Sequence, residues 1–180
     1  MILEYRTSYA YLAEIDFDFR NTYWGMDKDS VLGCQDSLLQ SEGPGFVTYQ
    51  ESFMGMDAIL CFQFSDEKLV EAGYAFYGKY SEESGYEKKY EEIKSEINSV
   101  FGEPNIDRDL LGCCEEECRD CCDDAAADGE TMMFLTEWRS ERTIVRLILM
   151  GRPDSCEFGL VYISDDYVRK VASERLLLIG

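Results

Sequence analysis

Apolar and polar residues alternate along six segments of the chain, which fall into two groups of three. The first group covers residues 46–53, 58–64 and 69–77. The second group covers residues 131–138, 143–150 and 156–164. A period of two residues is typical of strands with one buried face, as in the alternation of Leu60, Phe62 and Phe64. Because short turns separate the segments within each group, the pattern predicts antiparallel pairing.

Three other segments are predicted to be helical. The clearest is 84–101, where Ser84 and Glu87 form a capping-box pattern at the start. Its apolar stripe consists of Tyr86, Tyr90, Ile93, Ile97, Val100 and Phe101. Two more helices are predicted at 26–40, with Asp27 as N-cap, and in the C-terminal segment 165–180.

The order of these segments, one helix followed by three strands, occurs twice. It predicts a single α+β domain over residues 1–180, built from units at about 20–80 and 81–166. We expect the units to share one antiparallel sheet or to form two small packed sheets, with the helices on one face. The spacing of the strands leaves residues 103–130 as an acidic, cysteine-rich insertion in the second unit.

The charge of the chain limits its partners. It has 37 acidic against 17 basic residues, a formal net charge of -20. Such a charge repels phosphate backbones and anionic headgroups, so we expect neither nucleic acid nor a membrane as partner. The same field favours a basic protein surface or a cation, although acidity by itself is also a common means of keeping a protein soluble.

Charged residues recur throughout residues 1–20 and leave no apolar run of signal-peptide length. No stretch of the sequence approaches the roughly 20 apolar residues of a membrane helix. We therefore expect a cytoplasmic protein whose eight cysteines are mostly reduced.

No residue set in the sequence favours catalysis. The chain has no histidine, which removes the commonest general base, the Ser-His-Asp and Cys-His arrangements and every histidine-ligated metal site. Neither GxGxxG nor GxxxxGK occurs, so no phosphate-binding loop is predicted. The sequence thus predicts a protein without catalytic residues.

Five cysteines lie within ten residues of the predicted insertion: Cys113, Cys114, Cys118, Cys121 and Cys122. If this segment is helical, Cys114, Cys118 and Cys121 share one face, and a neighbouring cysteine supplies the fourth ligand of a zinc ion or an iron–sulfur cluster. A bound cation would also offset the acidic side chains around these thiols. The alternative is a surface loop whose cysteines bind no metal.

Two short motifs carry a resemblance to a known family. They are Phe19-Arg20 followed by Trp24-Gly25-Met26-Asp27-Lys28-Asp29-Ser30-Val31, and Phe101-Gly102-Glu103-Pro104. The first resembles the opening, and the second the helix stop, of small bacterial domains related to the SmpA/OmlA outer-membrane lipoproteins and to β-lactamase-inhibitory protein. Those domains are non-enzymatic scaffolds and inhibitors, so the resemblance implies a chain that binds another protein through a sheet face.

Two functions from different classes fit the sequence. The first is a non-catalytic interaction domain that binds a protein, such as a basic toxin that it neutralises in the manner of an acidic inhibitor or immunity protein. The second is a metal or iron–sulfur protein whose working part is the cysteine cluster at 113–122. Metal analysis and an absorption spectrum of anaerobically purified protein distinguish the two.

Overall fold

One antiparallel sheet of eight strands dominates the structure, a computed structural model that describes residues 18–78, 83–109, 132–152 and 155–177. The helices of these residues are α1 (Lys28–Gly33), α2 (Glu83–Phe101) and α3 (Asp165–Leu177). The strands are β1 (Leu38–Gly43), β2 (Phe46–Phe53), β3 (Met56–Ser65), β4 (Lys68–Phe76), β5 (Ile106–Asp109), β6 (Met132–Arg139), β7 (Thr143–Arg152) and β8 (Ser155–Ser164).

The order of strands across the sheet is β1-β2-β3-β4-β8-β7-β6-β5, and all neighbours are antiparallel. Two meanders of four strands therefore meet where β4 pairs with β8. In that central pair Ala72 lies opposite Tyr162, and Tyr74 lies opposite Leu160. The strands β1 and β5 form the two edges.

The six strands predicted from alternation are confirmed, with boundaries shifted by no more than a few residues. The edge strands β1 and β5 were not predicted from the sequence. Alternation cannot reveal them, because five of the six residues of β1 are exposed and β5 contains only four residues, three of them charged. Residues 106–109 thus belong to the sheet, although the sequence predicts them to lie in the insertion.

The predicted arrangement of two helix-plus-three-strand units with helices packed on one face is wrong. The helix predicted at 26–40 ends at Gly33, and the chain then enters β1. Leu38 continues the three-to-four-residue spacing of that helix, but it is 72% exposed on the edge strand. At the other end of the chain, none of the described side chains of α3 belongs to the hydrophobic core.

The core lies on one face of the sheet, which we call the inner face, and is covered by α2 and by the segment that contains Phe19, Met26 and Val31. The prediction of a helix at 84–101 is confirmed. Its residues Tyr90, Ile93 and Ile97 are fully buried against the sheet. Val100, which the sequence places in the same stripe, is 42% exposed. The largest sheet residues in this core include Phe62, Leu60, Trp138, Leu147, Leu149 and Leu160.

In the part of the chain that the structure describes, no helix is both long enough and apolar enough to cross a membrane.

Candidate functional site

The face of the sheet opposite α2, which we call the outer face, is the candidate site. Side chains alternate between the two faces along each strand. On β7, Val145, Leu147 and Leu149 belong to the core, so Arg146 and Ile148 between them lie on the outer face. The strand pairing extends this assignment from β7 to its neighbours.

An apolar row crosses the middle of the outer face. The register places the following residues side by side on β3, β4, β8, β7 and β6: Ile59, Ala75, Gly159, Ile148 and Leu135. Ala75 is exposed, and the other four are half-buried. Because these strands form the central part of the sheet, the row is continuous over five neighbouring strands.

A second row runs beside it and contains an ion pair. The register aligns Cys61, Gly73, Val161, Arg146 and Glu137 on the same five strands. Arg146 and Glu137 are the only charged residues among the ten positions of the two rows, which we call the central rows.

Glu137 is the anchor of this charged pair. Its side chain is 3% exposed and lies 2.7 Å from the Nε atom of Arg146 and, through its other oxygen, 2.7 Å from the Nε atom of Arg139. Burial acts to raise the pKa of Glu137, but the hydrogen bonds from the two guanidinium groups outweigh it, and the pKa is lowered. The carboxylate is thus held ionised and fixed in place.

Glu71 on β4 borders the central rows. The Gln63 side-chain amide donates a hydrogen bond of 3.0 Å to its carboxylate. Burial raises the pKa of Glu71, and the charge of Arg146 offsets part of that rise. Burial likewise raises the pKa of the neighbouring Cys61 thiol, with a further contribution from Glu71. Cys61 is therefore held as a thiol rather than a nucleophilic thiolate.

An open groove of about 490 Å³ lies on the solvent side of α2. It is lined by Met54, Lys88, Glu91, Glu92, Ser95 and Glu96. Three of these six residues are acidic and one is basic, so the groove has a net negative charge, like the chain as a whole. It lies on the opposite side of the molecule from the outer face, because α2 covers the inner face.

The cysteines predicted to bind metal are Cys113, Cys114, Cys118, Cys121 and Cys122, and all five lie outside the described residues. Within the described ranges no group of three or more histidine, cysteine or carboxylate residues is arranged to hold a metal ion. Cys34 and Cys156 pack against the core, whereas Cys61 lies on the outer face.

Comparison with protein-family models, curated proteins and solved structures finds no match for this chain. The resemblance of the segments at 19–31 and 101–104 to small bacterial inhibitors and scaffolds stays an expectation. In the structure the first segment is a turn leading into α1, where the Trp24 indole donates to the Thr143 hydroxyl at 2.9 Å. The second contains Gly102, whose positive φ of 80° ends α2.

Proposed function

We propose that this chain is a non-catalytic protein-binding domain whose outer face binds a basic partner protein. The observation that carries the proposal is the composition of the central rows: in a chain of net charge -20, ten adjacent positions hold one acidic and one basic residue, and these two neutralise each other. Depletion of charge in the middle of a surface, with charged residues around it, is the pattern of protein interfaces.

The chemistry of the partner follows from the residues around the central rows. Asp57 and Glu157 border the apolar row on β3 and β8, and Glu71 borders the second row on β4. A complementary surface would carry apolar side chains against the apolar row and basic side chains at its border. The net charge of -20 would speed the encounter with such a surface and repel acidic competitors.

An inhibitor or immunity role is the form of this function that best suits the charge. A domain that neutralises a basic toxin benefits from fast, electrostatically steered association, and it needs no catalytic residues. The Arg146 guanidinium supports such a role, because Glu137 fixes it and it is 35% exposed, so that it offers an oriented donor in an otherwise apolar surface.

Cross-linking followed by a binding assay with the purified partner tests the proposal. A photoreactive amino acid replaces Ala75 on the outer face or, as a control, Glu87 on the exposed side of α2, in cells of the source organism. The protein captured from Ala75 is then purified, and its affinity for the chain is measured by calorimetry. We expect Ala75→Glu to weaken binding by about tenfold or more, because it places a carboxylate in the apolar row.

Ser99→Glu is the matched control, since Ser99 is exposed on α2 and the substitution adds the same charge far from the outer face. It should change the affinity by less than about twofold. Equal capture from both positions, or a purified partner that binds Ala75→Glu as tightly as the original chain, would show the proposal to be wrong.

The alternative function, metal or iron–sulfur binding, rests on the cysteine cluster at 113–122 in the sequence. Bound zinc or iron near one equivalent, lost when Cys114, Cys118 and Cys121 are replaced by serine, would favour it. A melting temperature that falls when a chelator is added would point the same way.

A further inference from the structure

The edge strand β1 is exposed along almost its whole length. Of its six residues, only Gly43 is half-buried, and the rest are exposed. Leu38 is 72% exposed and Leu39 is 47% exposed. These two leucines point to opposite faces of the sheet, because they are consecutive in a strand. An added strand could therefore contact one of them on each face.

The two edges of the sheet differ in how they resist further pairing. On β5 three of four residues are charged, which is a common way of protecting an edge. The strand β1 has no lysine and no proline of its own, and a register shift lies between Leu39 and Ser41. Lys28 donates to the Gly43 carbonyl at 2.7 Å, so it protects the end of the strand at Gly43. The Leu38 end of β1, with two exposed leucines and no charged side chain beside them on the strand, is suited to pairing with another chain.

The charge around β1 indicates what kind of chain would pair with it. Residues 34–53 contain three acidic residues and no basic residue. Lys28 and Arg20 reach in from outside this segment to pair with Glu42 and Glu51, whereas Asp36 is exposed. A second copy of this chain would bring two bodies of charge -20 together, which is unfavourable.

We infer that β1 is the docking site for an extended segment of a basic protein, which adds to the sheet as a ninth strand. Its main chain would form hydrogen bonds with the edge of β1 that no described strand occupies. Its apolar side chains, which share one face of the added strand, would cover Leu38, the more exposed of the two leucines. Basic side chains between them would meet the acidic field of the chain. This site is separate from the central rows, and the inference does not rest on the proposed function of the outer face.

Titration of the isotopically labelled full chain with a synthetic peptide tests the inference. The probe is a nine-residue peptide of alternating lysine and valine, blocked at both ends, and binding is followed through the backbone amide signals. We expect the shifts to concentrate at residues 38–43. A peptide N-methylated at every residue, which has no main-chain donors, should not bind, and a peptide with glutamate in place of lysine should bind at least about tenfold more weakly.

Leu38→Lys and Leu39→Lys should each weaken peptide binding by about tenfold, the first through lost apolar contact with the valines and the second through repulsion of the peptide lysines on its face. Both positions are exposed, and unchanged melting temperatures will verify that the variants fold. Gln50→Lys is the matched control, because Gln50 is exposed on β2 directly opposite Leu38 but does not lie on the edge. It should bind within about twofold of the original chain, as should Ala75→Glu on the outer face.

Three results would overturn the inference: no binding at millimolar peptide, equal binding of the N-methylated peptide, or amide shifts confined to other strands. A dimer of the chain alone that Leu38→Lys dissociates would also overturn it, since the edge would then pair with a second copy. Loss of peptide binding in Leu38→Lys with full binding in Ala75→Glu would separate this site from the outer face.

Discussion

The hydroxyl of Tyr90 on α2 lies 2.7 Å from the hydroxyl of Thr136 on β6, inside the core. Thr136 donates its only hydroxyl proton to Asp107 at 2.8 Å, so the Tyr90 hydroxyl is the donor in this pair. Lys94 in turn donates to the other oxygen of Asp107 at 2.7 Å. This network joins the helix to β6 and to the edge strand β5.

Removal of the Tyr90 hydroxyl tests how much this network stabilises the fold. We expect Tyr90→Phe to lower the free energy of unfolding by about 1–2 kcal/mol, because the buried hydroxyl oxygen of Thr136 loses its donor while the aromatic ring stays in place. The measurement is chemical denaturation at neutral pH. Tyr77→Phe, at a tyrosine that is 41% exposed, should have almost no effect. Equal losses in both variants would show that the network contributes nothing beyond the ring.

The sequence predicted this helix and six strands because their periodicity reflects burial on a single side. Tyr90, Ile93 and Ile97 are all buried, and each is where the helical spacing placed it. The edge strands escaped prediction because a strand with no buried face has no alternation. The helix at 26–40 was predicted too long because Leu38 has helical spacing by coincidence, while its position is set by pairing with Gln50.

The outer face could be predicted only in part. The run Ile144-Val145-Arg146-Leu147-Ile148-Leu149-Met150 has apolar residues at both even and odd positions, which indicates a strand that is apolar on both faces. The sequence does not reveal which strands lie beside it. The apolar row depends on the pairing of β4 with β8, whose residues are separated by almost ninety positions in the chain.

Replacing Arg146 and replacing Glu137 should lower the free energy of unfolding by different amounts. We expect Arg146→Met to destabilise the fold by about 3 kcal/mol, because it leaves a nearly buried carboxylate with one partner fewer. Glu137→Gln should cost less, about 1 kcal/mol, because the side chains of Arg146 and Arg139 are 35% and 48% exposed and reach water. Denaturant titrations of both variants measure the difference.

Arg169→Met is the control for this comparison. Its guanidinium pairs with Asp165 on α3, but the side chain is 76% exposed, so the loss should stay below about 1 kcal/mol. A loss for Arg146→Met as small as that for Arg169→Met would mean that water reaches Glu137 and that the pair is not held in a dry environment.

The contributions of Glu71 and Glu137 to the stability of the fold should change in opposite directions with pH. The pKa of Glu71 is raised in the folded protein, mainly by burial, so its ionisation weakens the fold as the pH rises from about 4.3, the ordinary glutamate pKa, through the folded value. We therefore expect Glu71→Gln to be more stable than the original chain at pH 7, by on the order of 0.5 kcal/mol, with no difference below pH 4.

The pKa of Glu137 is lowered, so its contribution is present above the unfolded pKa and is lost as the pH falls through the folded value. The cost of Glu137→Gln should accordingly shrink as the pH falls. Thermal melts of the three proteins at several values between pH 3 and pH 7 provide the comparison. Parallel pH profiles for the two variants would contradict the opposite directions of the two pKa shifts.

The junction of the two meanders depends on a glycine. Gly73 on β4 lies opposite Val161 on β8, and a Cβ atom at this position would be 2.3 Å from the carbonyl oxygen of Leu160. That oxygen belongs to the backbone of the paired strand, so it cannot move away without disturbing the central pairing. We expect Gly73→Ala to destabilise the fold by about 1–3 kcal/mol, as overpacking does in other cores.

Two other glycines make the experiment quantitative. A Cβ atom at Gly159 would lie 3.3 Å from the carbonyl oxygen of Tyr74, and one at Gly33, at the end of α1, would meet nothing within 4 Å. Losses of stability should therefore decrease in the order Gly73→Ala, Gly159→Ala, Gly33→Ala, with the last within about 0.5 kcal/mol of zero. Denaturant midpoints measure the series. If Gly73→Ala were as harmless as Gly33→Ala, the close approach of β4 and β8 would not be required, and the register that aligns the central rows would lose its structural basis.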